Sequence, residues 1–368
     1  MRYKCNIYIQ HKKFEFNAIY IYISAPLSTI QRKTHQLSFF PSMAIQLRST
    51  KSLIFLFLIS AVPIAFIIPL ELSKPPTHVF HYHSSGFFRE SAKWDDLNRR
   101  FIVGFMEGGV GQIKVPDDYS PGTVLDEVTV VKDVDLAGNA SLGVLVDRPR
   151  NRLLVTTGDV IKGRYGALAA YDLSTWQRLF LTQLSGPSEK TLADDVAVDA
   201  EGNAYVTDAR TSKIWKVGPN GEFLNTITNP LFIVKEWYRN FMAALNGIVY
   251  HPDGYLLAIH TGSGNLYKID IAKGNEVKLI PVNGSLIFGD GMELLSPTKL
   301  VVAGNPTGRL VESSDGWETA SVVSKFKGPA HRLATAVTVK DGKVYVSHLL
   351  GMGYPAKKHA LVEAVFST

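Results

Sequence analysis

Residues 192–208 read LADDVAVDAEGNAYVTD. A short run alternating at period two, a turn built on Asp199, Gly202 and Asn203, and a second such run predict a β-hairpin. The phrase recurs on both sides, as GVLVDRPRNRLLVTT from Gly143, GIVYHPDGYLLAIH from Gly247, GMELLSPTKLVVAG from Gly291 and AVTVKDGKVYVSH from Ala336, with a fainter copy, WDDLNRRFIVG, from Trp94. The residue closing the first strand of each copy falls at Asp95, Asp147, Asp199, His251, Leu295 and Lys340, at intervals of 52, 52, 52, 44 and 45 residues. Six units at this period predict an all-β fold, a six-bladed β-propeller over about residues 76–368 with one four-stranded sheet per unit. The segments LAAYDL, SKIWKVG, NLYKID and GRLVES are expected as further strands of their blades, and ALVEAVF near the C-terminus as part of the ring closure that protects sheet edges. A turn or two of helix is expected near Phe232–Met242.

The chain has 368 residues, 46% apolar and 20% charged, which is the balance of a folded globular protein. Its net charge of +6 is an N-terminal property. Residues 1–51 hold eight Lys+Arg and one acid, Glu15, leaving 31 basic and 32 acidic groups over residues 52–368. A nucleic-acid partner is therefore not expected, since no excess of basic charge lies within the folded part. The single cysteine, Cys5, rules out a disulfide framework and a Cys-based zinc site.

From Ser52 to Leu70 runs SLIFLFLISAVPIAFIIPL without a charge, preceded by the short basic lead Met43–Lys51. This is the pattern of a secretory signal, and its length also permits a signal anchor. The organisation expected is an upstream extension over 1–42 with translation starting at Met43, a signal peptide or anchor over 43–71, and the propeller over 72–368. The destination is the secretory pathway, extracellular or vacuolar, with membrane contact only through an uncleaved anchor. The sequons Asn139-Ala-Ser141 and Asn283-Gly-Ser285 fit a glycoprotein on that route.

Five residues before each closing position stand Glu90, Leu142, Asp194, Asn246, Asp290 and Thr335. In a propeller, equal phase is equal height around the central channel. Four carboxylate or carboxamide side chains, Glu90, Asp194, Asn246 and Asp290, are thereby expected to face one point on the axis. Three carboxylates at one point call for a cation, and hard oxygen donors suit Ca²⁺ best, with Mg²⁺ or Mn²⁺ as alternatives and Zn²⁺ less suited. Asp and Asn-Gly before a strand are also ordinary turn residues.

Glu90-Ser-Ala-Lys-Trp94 resembles the Glu-Gly-Pro-x-Trp motif of the senescence-marker protein/gluconolactonase family, which includes regucalcin and calcium-dependent phosphotriesterases. LADDVAVDAEGNAYVTD, LNGIVYHPDGYLLAI and GDGMELL are similar to its Asn-Asp-Val, Pro-Asn-Gly-Ile and Pro-Asp-Gly segments, so the likeness covers about residues 90–350. It implies a six-bladed propeller with one divalent ion, Ca²⁺ above all, held by Glu90, Asp194, Asn246 and Asp290. It also implies a hydrolase of the lactonase or phosphotriesterase type acting on a small ester or lactone, with Asp290 as ligand and catalytic base and Glu90 second to it. Asp194 stands where the family usually has Asn, Leu192 where lactone-hydrolysing members carry Arg, and Ser91-Ala92 where it has Gly-Pro. Two alternatives stay open: a secreted, non-catalytic propeller with a structural ion and a binding face, and a strictosidine-synthase-like enzyme. His260 and His348 are expected as structural residues, His331-Arg332 as a basic pair on the surface, and Glu107-Gly-Gly109 as a tight loop.

Overall fold

The computed structural model describes residues 65–73, 76–186, 188–234 and 244–366. The expected upstream extension and most of the apolar stretch lie outside these residues. So does most of the expected helix near 232–242, of which the 3₁₀ turn Pro230–Phe232 is described.

Each hairpin phrase opens an antiparallel set of four strands. Around the quoted stretch the order is Ala193–Val198, Ala204–Asp208, Ile214–Val217 and Phe223–Ile227, each strand paired with the next. The sets beginning at Ala140 and Leu245 repeat this order, and the set beginning at Gly289 adds the short strand Val282–Asn283 beyond its outer strand. An eight-stranded sheet holds the remainder. In it Arg89–Asp95 begins one run of four, Ala334–Lys340 begins the other, and Val79–Ser84 joins them, antiparallel to Lys357–Ala364 and parallel to Val124–Val131. The N-terminal strand thus completes the C-terminal set. The first strands pack side by side in chain order, Arg89–Asp95 on Ala140–Asp147 and onward to Ala334–Lys340, which returns to Arg89–Asp95.

The core lies between neighbouring sheets. Val196, Val206 and Trp215 of one set pack on Leu154, Leu168 and Ala170 of the set before it. Ala197, Tyr205 and Ile214 pack on Ile248, Leu256 and Tyr267 of the set after it. Period-two alternation produces this, because each strand sends successive side chains to opposite faces and both faces are covered. The ring closes the same way, with Phe101 and Ile113 of the first set against Phe80, Tyr345 and Leu361 of the last.

The residues that closed each first strand in the sequence hold the turns. Asp95 accepts from Arg100 at 2.8 Å and Asp147 from Arg152 at 2.7 Å, while Asp199 accepts from the Asn203 backbone and the Tyr205 hydroxyl. In the fourth copy His251 stacks on Tyr255, with ring centroids 4.2 Å apart.

Arg89 is fully buried beneath this closure. Its Nε and Nη2 donate to Glu127 at 2.6 and 2.9 Å, Nη1 donates to Glu107, and the guanidinium covers the Phe105 ring at 3.9 Å. Arg89→Ala leaves the buried Glu127 carboxylate without its partner, so a loss of about 3–5 kcal/mol is expected. A fall of less than about 1 kcal/mol in the unfolding free energy of this variant, measured by urea titration, would contradict the assignment.

Among the described residues no helix is long and apolar enough to cross a membrane. Residues 65–72, which overlap the end of the stretch read as a signal, are helical. Asn283 is exposed, whereas Asn139 is half-buried and its sequon partner Ser141 is buried.

Candidate functional site at the ring axis

Every first strand is irregular at the same place. The pairing register shifts between Arg89 and Ala92, Ser141 and Val144, Ala193 and Val196, Leu245 and Ile248, Gly289 and Met292, and Ala334 and Ala336. Each shift brackets one of the six equal-phase positions. A bulge inserts a residue and re-aims the side chains beside it, so Glu90, Leu142, Asp194, Asn246, Asp290 and Thr335 sit where their strands bulge.

A cavity of about 10 Å³, the space one water or ion takes, is lined by Glu90, Asp194, Asn246 and Thr335 among others. Asp194 and Asn246 are buried, Glu90 and Asp290 half-buried. The Asn246 amide and the Gly291 N–H donate to the Asp290 carboxylate, yet Asp290 Oδ1 is shut off from solvent without a hydrogen-bond partner. The Thr335 hydroxyl donates to the Glu90 carbonyl, and the Thr156 hydroxyl to the Asp194 carbonyl, which ties the bulged backbone to its neighbours.

Burial, then the charges of Asp290, Asp194 and Asp195, push the Glu90 carboxyl well above the ordinary range. Asp194 is raised likewise, by burial and then by Asp290, Asp195 and Asp208. Burial and the Asp195 charge push Asp290 up to about 7, against the two hydrogen bonds that hold it down. These carboxyls share too little compensating charge. Among the described residues no three Asp, Glu, His or Cys side chains draw close enough to form a ready coordination shell.

Three residues on this axis were not singled out in the sequence. Asp195 accepts from the Val196 and Ile248 backbones at 2.9 and 3.2 Å, and burial pushes it up to about 6 while Lys93 pulls it down. Lys93 forms an ion pair with Glu293 and donates to the Val337 carbonyl at 2.9 Å. Burial works against its charge, but Glu293 and Asp195 outweigh it and hold the ammonium protonated. Lys93 and Glu293 both stand two residues before a closing position, so the same ruler, read at a second phase, finds the pair. They line a further cavity of about 170 Å³ with Asp195, Tyr250 and Met292. Lys93 is the one cation among the described residues lining either cavity, where Glu90, Asp194, Asp195 and Glu293 are the carboxyls. One ammonium does not balance four carboxyls.

The other candidates lie elsewhere. His260 and His348 are buried, and burial pushes both down to about 4, as suits structural imidazoles. Gly108 and Gly109 adopt φ of 92° and 104°, so the Glu107 loop needs glycine for its turn. The expected surface pair His331-Arg332 needs correction. Arg332 is 3% exposed, because Glu71 and two backbone carbonyls satisfy its guanidinium.

No protein-family model and no curated protein sequence matches the chain. Solved structures do. The major allergen Mala s 1 of Malassezia sympodialis superimposes with a TM-score of 0.59 at 16% identity, over 77% of this chain and 96% of the allergen. The WD40 repeats of RRP9 superimpose at 0.52 and 6% identity, over 80% of this chain and 99% of theirs. A Bacteroides caccae protein of unknown function reaches 0.50 at 13%, over 69% and 87%. The chain is thus an all-β protein of the propeller type. Identities this low speak to the fold alone.

Proposed function

We propose that the six first strands are the inner strands of a six-bladed β-propeller, and that its axis binds a divalent cation through Glu90, Asp194, Asn246 and Asp290. The observation that carries this reading is Asp290 Oδ1, a buried carboxylate oxygen without a partner amid an excess of carboxyls. An uncompensated buried carboxylate is costly, and a cation removes the cost. Hard oxygen donors without Cys or His select Ca²⁺ over Zn²⁺.

On the resemblance to the senescence-marker protein/gluconolactonase family, we read the site as that of a hydrolase of the lactonase or phosphotriesterase type. A bound divalent cation supplies neutralising charge and Lewis acidity toward a carbonyl or phosphoryl oxygen. Asp290 is the base, since Asn246 and Gly291 fix the orientation of its carboxylate beside the proposed cation. Glu90, which lines the cavity, stands second to Asp290 in that role. The apolar stretch and the exposed Asn283 support an exported protein, extracellular or vacuolar, tethered to a membrane where the anchor persists.

One observation favours a second reading. The cavity lined by Glu90, Asp194 and Asn246 holds about 10 Å³, room for an ion and not for a substrate. A structural ion in a propeller whose face binds another molecule fits that size. Hydrolysis of a panel of lactones and aryl phosphotriesters separates the two, run with Ca²⁺, with chelator and with Asp290→Ala. The hydrolase reading expects turnover that falls at least about 100-fold on chelation and in the variant. Calcium binding without turnover on the panel favours the structural ion, and absence of calcium binding sinks both.

A further inference from the structure

A cleft of about 330 Å³ opens between residues 326–332, the strand Lys357–Ala364 and the strand Val79–Ser84, away from the axial cluster. That volume is in the range of small-ligand sites. Its lining is apolar at Val79, Phe326, Ala360 and Val362 and basic at Arg332, His331, Lys327 and Lys358. Arg332 is preorganised there. Its Nη1 donates to the Leu350 and Lys358 carbonyls at 3.1 and 2.7 Å, which fixes the guanidinium plane and leaves Nε and Nη2 aimed together at one acceptor. Glu71 supplies that acceptor: Nε donates to Oε1 at 2.7 Å, Nη2 to Oε2, and His331 Nε2 lies on Oε1. Two parallel N–H bonds to a carboxylate are the fork geometry for which arginine is suited. Glu71 is also the last residue of the stretch that reads as a signal, so the occupant of the clamp belongs to the segment joining leader and fold.

We propose that this cleft is a binding site for a small amphipathic carboxylic acid. Its carboxylate sits on Arg332 and His331, its alkyl part lies along Val79, Phe326, Ala360 and Val362, and Glu71 competes from within the chain for the head-group position. A tethered carboxylate at a short span has a high effective concentration, so the intact chain holds the clamp mostly closed. Withdrawing the Glu71 charge opens it while leaving the Arg332, His331 and apolar walls in place. Removal of the chain through Glu71 would free the clamp as well, at the cost of the Leu70 and Glu71 part of the lining.

The test is saturation-transfer NMR with hexanoate on the full chain, with hexylammonium as the opposite-charge probe of equal length. Glu71→Gln is expected to bind hexanoate at least tenfold more tightly than the wild type and to ignore hexylammonium. Arg332→Lys in the Glu71→Gln background is expected to lose that gain, because an ammonium cannot present the fork. Glu71→Asp, which keeps the charge but shortens its reach, is expected to fall between wild type and Glu71→Gln, and decides the matter should Glu71→Gln lose its β-sheet circular dichroism. Hexanoate binding equal in wild type and in the folded Glu71 variants, or binding of hexylammonium as tight as hexanoate, would overturn the proposal.

Discussion

The stabilisation conferred by Ca²⁺ is expected to be near zero at pH 5 and to grow as the pH rises through 6 and 7. Asp290 and Asp195 titrate near 7 and 6 in the folded protein, and Glu90 and Asp194 lie well above the ordinary carboxylate range. The unfolded chain releases these protons near pH 4. A carboxyl raised in this way contributes stability that is full below about pH 4 and is lost as the pH climbs to its folded value. Calcium requires the deprotonated donors, so its contribution rises over the same window in which that stability is lost. The pH profile of the protein in chelator alone mixes this with the buried imidazoles. His260, His348 and His359, each held down to about 4, make stability rise with pH between about 4 and 6.5. The difference in melting temperature between calcium and chelator cancels that background and isolates the axial cluster. At calcium about 100 times its dissociation constant the linkage is worth about 2.7 kcal/mol, or roughly 5 °C for a chain of this size. Asp290→Asn should remove most of the difference. A calcium increment independent of pH between 5 and 8 would show that these carboxyls are not the ligands.

The architecture was legible because the closing positions are structural in their own right. Asp95 and Asp147 recur at one phase since each must hold an arginine across its turn, and that requirement writes a ruler into the chain. The ruler also found Glu90, Asp194, Asn246 and Asp290, at the level where each strand bulges. It was not read at the second phase, because simple alternation sends Lys93 and Glu293 to the face opposite that set. The bulge between the two levels restores them to the axis. Arg332 was beyond sequence reasoning altogether, as its burial depends on Glu71, 261 residues away. Nothing local to His331-Arg332 distinguishes a solvated pair from a buried clamp.

Gly247→Ala is expected to combine a large loss of stability with a loss of the calcium increment. Gly247 follows Asn246 in the bulge of its strand, and a β-carbon there would stand 2.3 Å from the Asp290 carbonyl oxygen and 2.9 Å from Met292 Cγ. The first contact is with backbone and does not yield by a rotamer change. Either strand Leu245–His251 or strand Gly289–Ser296 must move, and Asp290 moves with the second. Overpacking of this kind costs up to about 3 kcal/mol, or roughly 6 °C, and ligand placement tolerates only about 0.5 Å of displacement. The corresponding glycines form a graded series around the ring. A β-carbon on Gly143 would meet the Asp194 carbonyl at 2.6 Å, and one on Gly291 the Thr335 carbonyl at 2.8 Å. Losses should therefore decrease from Gly247→Ala through Gly143→Ala to Gly291→Ala. Gly274→Ala is the control, with nothing within 4 Å and only its φ of +66° to oppose the change, a cost of about 1–2 kcal/mol. Melting curves of the four variants, each with calcium and with chelator, read both effects at once. If Gly247→Ala melts with Gly274→Ala and keeps its calcium increment, close strand approach at the bulges does not set the ligand positions, and the axial level shared by the four donors would need another cause.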